Sequence, residues 1–322
     1  MNPWIDHPVL VTGATGLLGG WLVRALRSRG AEVHCLIRDH GPAARLPVAG
    51  PGPETTTVHG GLNQTMLLER VLGEREIRTV FHLGAQTLVG AAKRNPVSTW
   101  DSNIRGTWSL LEACRRSPAV QAIVVASSDK AYGDAEGAAY TEDMDLRPVS
   151  PYDVSKACAD LISRSYAATW DLPVALTRCG NFYGGGDLNW SRLVPGTMRA
   201  VIRGLRPVIR SDGTPVRDFL HVDDAVSGYL ALAERLRADA TIRGRAYNLS
   251  HEHPVMVRDV VELILALADC DLEPLILDEA GDELPFQALD TTRARTELAW
   301  SPSIDLAEGM ARTLAWYRNH LA

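Results

Sequence analysis

Short runs of apolar residues alternate along this chain with segments whose apolar positions recur every three to four residues. The first pattern belongs to strands buried on both faces, the second to helices with one apolar stripe. Apolar runs predict strands over 9–12, 32–37, 79–83, 122–126, 173–178 and 246–249, and a further strand, third in chain order, is expected over 55–59. Helical spacing predicts helices over 17–29, 65–72, 98–117, 151–169, from 218 onward, 255–267 and 306–320. Gly30 stands where the first of these should stop, and Pro151 suits the first turn of another. Within 98–117 the predicted apolar face is Trp100, Ile104, Trp108, Leu111 and Ala113. Residues 40–54, rich in Gly, Pro and Ala, predict a loop. Strands alternating with helices predict an α/β fold with a doubly wound parallel sheet, whose ligands sit beyond the carboxyl ends of the strands. After Asp187 the rhythm changes. The expected division is a nucleotide-binding domain over 1–181 plus about 219–250, and a smaller C-terminal lobe over about 182–218 and 251–322.

Composition narrows the function. At 46% apolar residues the 322-residue chain can build a substantial core. A net charge of −6 gives no sign of a nucleic-acid or membrane-surface partner. The five cysteines (Cys35, Cys114, Cys158, Cys179, Cys270) form no Cys-x-x-Cys pair, which argues against zinc and against a disulfide framework. His82, His221 and the other histidines show no metal-ligand spacing. No basic-then-apolar leader and no membrane-length apolar run are present, so a soluble, cytoplasmic protein is expected.

Between the first strand and first helix lies Gly13-Ala14-Thr15-Gly16-Leu17-Leu18-Gly19. Glycines at 13, 16 and 19 let the backbone turn tightly and approach a pyrophosphate at the helix N-terminus. A Gly pattern alone is weak; between a strand and a helix it marks dinucleotide binding, and the sheet is expected to be Rossmann-type. The second strand ends Ile37-Arg38-Asp39. An acid there would bind ribose hydroxyls, whereas Arg38 there could pair with a 2′-phosphate. Arg38 therefore leans the cofactor towards NADP over NAD. The alternatives are that Arg38 stacks on adenine or that Asp39 reaches the ribose.

Tyr152 and Lys156, four residues apart, share one face of the helix over 151–169. A Lys ammonium beside a phenol favours the phenolate, which would make Tyr152 a base near neutral pH. Tyr-x-x-x-Lys arises by chance in many helices. It gains weight here from the nucleotide fold around it and from Ser128 at the end of the fifth strand. Residues 188–218 carry Arg192, Arg199, Arg203, Arg206, Arg210 and Arg217 and no Lys. A solvated face explains most of them, yet the set also suits bidentate phosphate recognition in an acidic protein.

With these pieces in place the chain resembles, over nearly its whole length, the extended short-chain dehydrogenase/reductases that act on nucleotide sugars. The matching segments are Thr12–Gly19, His82–Gln86, Ser127–Gly133, Pro151–Lys156, Arg178–Gly184 and Arg217–Asp224. Ser128-Asp129-Lys130, Gly184–Asn189 and Arg192-Leu193-Val194-Pro195 look most like CDP-glucose 4,6-dehydratases, with GDP-mannose 4,6-dehydratases close behind. The resemblance implies a lyase that binds NAD or NADP tightly and recycles it. Gly13, Thr15, Gly16, Leu17, Leu18, Gly19, Arg38, Asn63, Leu83, Gly84, Ala85, Gln86, Asn103, Tyr152, Lys156 and Cys179 would lie against the cofactor. Asn63 enters because the family's adenine-binding Asp after the third strand is replaced here by Gly61.

A nucleotide-diphosphate hexose would lie against Gln86, Ser128, Asn181, Arg192, Leu193, Val194 and Arg217, with Asn181, Arg192 and Arg217 on the diphosphate. Tyr152 would take the sugar 4-hydroxyl proton with Ser128 on the same oxygen, and Lys156 would hold the cofactor ribose. Asp129 would act as the acid and Lys130 as the base in eliminating water across C5 and C6. A local ion pair closing a turn is the bland reading of Asp129-Lys130. A nucleotide-sugar 4-epimerase, which usually carries small residues there, is the alternative function. A non-catalytic cofactor-binding protein usually lacks the Tyr or the Lys, and both are present here. The resemblance also implies a homodimer, with the helices at 98–117 and 151–169 pairing into a four-helix bundle.

Overall fold

The computed structural model describes residues 2–39, 55–279 and 283–321; the loop expected over 40–54 lies outside the described residues. Thirteen strands are described: β1 (Pro8–Thr12), β2 (Glu32–Ile37), β3 (Thr55–His59), β4 (Thr79–His82), β5 (Ala122–Ala126), β6 (Val174–Cys179), β7 (Asn181–Tyr183), β8 (Val208–Ile209), β9 (Val216–Arg217), β10 (Phe219–His221), β11 (Ala246–Leu249), β12 (Val255–Met256) and β13 (Leu275–Ile276). The helices are α1 (Leu17–Ser28), α2 (Thr65–Glu74), α3 (Val89–Arg94), α4 (Pro96–Trp100), α5 (Gly106–Arg115), α6 (Pro151–Trp170), α7 (Leu193–Ile202), α8 (Val222–Ala238), α9 (Val257–Leu267), α10 (Thr292–Leu298) and α11 (Leu306–Leu321). Seven strands form one parallel sheet in the order β11-β6-β5-β4-β1-β2-β3. All seven predicted strands are in it.

The inner strands are mostly apolar because both faces of the sheet are covered, whereas the edge strand β3, Thr-Thr-Thr-Val-His, is only partly buried. Alternate residues face opposite layers. Val9, Val11, Val33, Cys35 and Phe81 pack with α1 and α8. Leu10, Leu36, Val80, Ile123 and Leu176 pack with α2, α5 and α6. A separate apolar core gathers α7, α9 and α11 around Tyr183, Ile209 and Phe219. Chain order leaps outward in both directions from β1 and β4. The crevice between their carboxyl ends is therefore the topological switch point where such sheets bind ligands.

Four expectations change. The single helix over 98–117 is α4, a π-helical turn at Asp101–Arg105 and α5. Of its predicted apolar face, Leu111 and Ala113 are buried, while Trp100 and Trp108 are each 39% exposed. The helix expected from 218 begins at Val222, because Phe219–His221 pairs with β7 first. Val255–Met256 likewise pairs with β9 before α9 begins at Val257. In both places β-branched and aromatic residues suit a strand as well as a helix, and a strand partner decides it.

Candidate active site

The switch-point crevice is a cavity of 350 Å³ lined by Gly13, Thr15, Arg38, Asp39, Asn63, Gly84 and Gln86, among others. The close approach of β1 and β4 needs glycine. A Cβ on Gly13, whose φ is +73°, would fall 2.7 Å from the Gly84 nitrogen, and one on Gly19 would fall 2.1 Å from the Gly13 carbonyl oxygen. Gly16 caps α1 without a side chain, and no acid stands in its first turn. Helix N-H groups and the positive end of the dipole are thus left for an anion. This cradle fits a dinucleotide pyrophosphate, whose charge would lie between Gly13 and the first turn of α1, at Leu17 and Leu18.

At the far end of the cavity Arg38 donates to both carboxylate oxygens of Asp39, at 3.0 Å each. Asn63 donates to Asp101 at 3.1 Å, fastening the loop after β3 to the π turn. The Asn103 side chain is buried, accepts from the Gln86 backbone N-H (2.7 Å) and donates to the Gln86 carbonyl (3.0 Å) and the Ser155 hydroxyl (2.8 Å). It ties the loop after β4 to α6.

A buried chain of hydrogen bonds, which sequence reasoning missed, runs from this loop to α6. The Thr107 hydroxyl donates to the Asn103 carbonyl (2.6 Å), so it accepts from His82 Nε2-H (3.0 Å). His82 Nδ1 then accepts from the Thr12 hydroxyl (2.9 Å), which itself accepts the Gly84 N-H (3.0 Å). One neutral tautomer of His82 satisfies all four groups. Burial, and then the nearby Lys156 charge, holds its pKa down at about 3. From Asn103 the chain passes to Ser155, whose hydroxyl donates to the Tyr152 carbonyl at 2.6 Å. No motif announces this chain, because its members come from five separate elements.

Ser150 caps α6 by accepting from Asp153 N-H, and Pro151 fills its first turn, which sets Tyr152 and Lys156 against the end of β5. Both side chains are buried. Lys156 donates to the Ala126 carbonyl at 2.9 Å, and burial lowers its pKa to about 8. The Tyr152 phenol is pushed up by burial and then by the Asp129 carboxylate; the Ser128 hydroxyl and the Arg192 guanidinium pull it down. The depressed phenol expected from Lys156 is not found, because loss of hydration dominates. The Ser128 hydroxyl donates to Asp129 at 3.0 Å. Asp129 is buried, and burial raises its pKa against the opposing pull of Lys130. A buried carboxyl held towards its acid form is a proton donor. Lys130 donates to the Gln287 amide oxygen at 3.2 Å. Cys179 lies near Lys156, its thiol pushed up to about 12 by burial.

The arginines do not form one cluster. Arg192, beside Tyr152, pairs with Asp187 at 2.9 Å and reaches Thr87. Arg217 is buried, donates to the Val216 carbonyl and pairs with Glu283 at 3.0 Å. Arg199 stacks over Trp190, Arg206 caps the Glu273 and Pro274 carbonyls, and Arg203 and Arg210 are exposed. Asn181 opens β7 as an exposed residue, and Val194 is packed inside the core around α7 with Leu193 against it. Among the described residues no group of acids, cysteines and histidines has a metal-binding arrangement, and no helix is long and apolar enough to cross a membrane.

Residues 9–250 match the model of the NAD dependent epimerase/dehydratase family, and the chain belongs to that family. Its relatives are mostly nucleotide-sugar 4,6-dehydratases. A dTDP-glucose 4,6-dehydratase of Streptomyces griseus is 34% identical over 97% of this chain and 94% of its own length. A CDP-glucose 4,6-dehydratase of Salmonella typhimurium is 29% identical over 98% and 92%. The crystal structure of DesIV, a dTDP-glucose 4,6-dehydratase from Streptomyces venezuelae with NAD and TYD bound, superposes with a TM-score of 0.86. It is 29% identical, with 97% of each chain covered. Epimerases also occur among the similar structures.

Proposed function

We propose that this protein is a cytoplasmic nucleotide-sugar 4,6-dehydratase that uses NAD. The observation that carries the reading is Asp129, a buried carboxyl with a raised pKa, beside Ser128 and Tyr152 and next to the amine of Lys130. A 4-epimerase has no use for this acid and amine, since it has only to release a ketone and take it back. In the proposed reaction Tyr152 takes the 4-hydroxyl proton while Ser128 hydrogen-bonds that oxygen. NAD, when bound, would supply the acceptor for the C4 hydride and the donor of that hydride to C6. The resulting 4-ketone acidifies the C5 proton, which Lys130 removes. The C5–H electron pair forms the C5–C6 double bond as the C6–O bond breaks, and Asp129 gives its proton to the departing hydroxyl. Lys130 returns a proton to C5 as C6 is reduced.

NAD is preferred over the NADP lean of the strand-end Arg38. A 2′-phosphate there would compete with the Asp39 carboxylate that already occupies the guanidinium fork, whereas Asp39 suits ribose hydroxyls. Gly13 to Gly19, Asn63 and Leu83 to Gln86 are the proposed cofactor contacts; Asn181, Arg192 and Arg217 are the proposed diphosphate contacts. The separate core around α7, α9 and α11 supports the division into a cofactor domain and a sugar-binding lobe. Free cysteines throughout fit a reducing compartment.

A homodimer is supported by Trp100, Trp108 and Leu161, which stay exposed on the α4–α5 and α6 surfaces although those helices already pack together. Light scattering at micromolar concentration should give twice the chain mass, and a monomer would count against it. The function itself is tested by mass analysis after incubation with a panel of nucleotide hexoses. Loss of one water supports the dehydratase. Unchanged mass with altered chromatography assigns an epimerase.

A further inference from the structure

Gln287 stands far in sequence from every motif, yet it is 2% exposed and its side chain meets the proposed elimination base. The segment carrying it is fixed by backbone hydrogen bonds. Pro285 accepts from Val216 N-H (2.8 Å), Gln287 N-H donates to the Val216 carbonyl (3.0 Å), and Tyr140 N-H donates to the Ala288 carbonyl (2.9 Å). The Gln287 amide nitrogen is buried without a hydrogen-bond partner, and the nearby Tyr140 hydroxyl donates to the Gly133 carbonyl at 2.6 Å. The amide oxygen accepts from Lys130 at 3.2 Å.

We propose that Gln287 is a positioning residue for Lys130, holding its amine in place for proton abstraction without adding a charge. This rests on the reading of Lys130 as the elimination base. A base lysine must spend part of the cycle as a neutral amine, and an amine still donates N-H. An amide oxygen accepts that N-H in both protonation states. A carboxylate in its place would favour the ammonium and oppose the step. The other charged groups around Lys130 are Asp129 on its own turn and Asp153 from α6. Lys93 in turn faces Asp153, and Arg217 faces Asp129. The segment that carries Gln287 also holds Glu283, which pairs with Arg217 at 3.0 Å, and Asp290, which accepts from Thr292 N-H at 2.7 Å; Gln287 itself offers Lys130 an uncharged acceptor.

The test uses the full-length enzyme with NAD and whichever of CDP-glucose, dTDP-glucose and UDP-glucose the wild type dehydrates. In Gln287→Leu, C4 oxidation should stay near the wild-type rate while water loss slows about 10–100-fold, the worth of a misplaced reacting group. Reduced cofactor should then build up in single-turnover absorbance. In Gln287→Glu the pH midpoint of the elimination rate, which rises as Lys130 loses its proton, should move up by about one unit or more. If Gln287→Leu fails to fold, this shift carries the test. Two results overturn the proposal: both variants eliminate at the wild-type rate with an unmoved midpoint while Lys130→Ala is slow, or Gln287→Leu slows oxidation and elimination equally. If Lys130→Ala itself eliminates normally, or the wild type loses water from none of the three, the functional reading beneath the proposal is what has failed.

Discussion

Asp160 on α6 and Arg178 on β6 form a bidentate ion pair at 2.8 and 3.0 Å, with side chains 0% and 1% exposed. Arg178 also donates to the Tyr132 hydroxyl (3.0 Å) and lies over the Tyr132 ring at 4.8 Å. Asp160→Ala removes the anion and leaves a buried guanidinium whose remaining partners are that hydroxyl and the Glu142 carbonyl. Breaking such a pair from one side costs about 3–5 kcal/mol, most of it from the stranded charge. Unfolding entropy scales to ~0.7 kcal/mol/K for 322 residues. The melting temperature should therefore fall by about 4–7 °C. Removing both charges is a different perturbation, because no charge is stranded. Asp160→Leu combined with Arg178→Met should recover at least half of the loss. Calorimetry on the cofactor-free protein reads both. A single variant melting within a degree of wild type, or a double variant as unstable as the summed singles, would refute the reasoning.

Asp129→Asn and Lys130→Ala should still oxidise C4 and accumulate reduced cofactor while water loss slows about 10²–10⁴-fold. Tyr152→Phe should stop both steps with the cofactor left oxidised, and wild-type dehydration by both elimination variants would remove the roles given to them. If Asp39 reads the ribose, Asp39→Ala should weaken NAD about 10–100-fold, the loss of a hydrogen bond to a charged acceptor. Arg38→Ala should then have the smaller effect, and titration calorimetry showing the reverse, with NADP hit hardest, would restore the 2′-phosphate reading. His82 must exclude a proton that the unfolded chain takes up near its ordinary pKa of 6.5, so its contribution to stability is present above that pH and drains away as pH falls towards about 3. The stability gap between wild type and His82→Gln should therefore narrow below pH 6.5, by at most about 1.4 kcal/mol per unit, and a gap independent of pH would count against the neutral tautomer.

What could be read from sequence was whatever a local period or motif encodes. The parallel sheet announced itself because strands covered on both faces are mostly apolar, and the glycines announced the crevice because a side chain at Gly13 would run into the end of β4 and one at Gly19 into the turn before α1. Tyr152 and Lys156 share a helix face by spacing alone. The π turn at Asp101–Arg105 adds a residue to one turn without changing the residue types around it, so helical periodicity ran straight through it. Arg38 and Asp39 could not be ranked from their order, since what matters is that one grips the other. The contacts of Asn103 with Gln86 and Ser155 join residues far apart in the chain, so its place between loop and helix had no local sign. Gln287 and His82 act through partners in distant elements, and nothing near either residue hints at them.

The unfilled cap of α1 carries a consequence for turnover. With no side chain at Gly16 to satisfy the first N-H groups, the helix is finished by whatever anion enters the crevice. The bound dinucleotide would then be a structural part of the domain as well as a reagent, and occupancy would raise the melting temperature in step with affinity. An enzyme that consumed a fresh reductant each cycle would have to undo that cap every time. In the proposed reaction the hydride leaves C4 and comes back at C6, so nothing has to be exchanged between cycles, and a helix start that favours retention works with the chemistry.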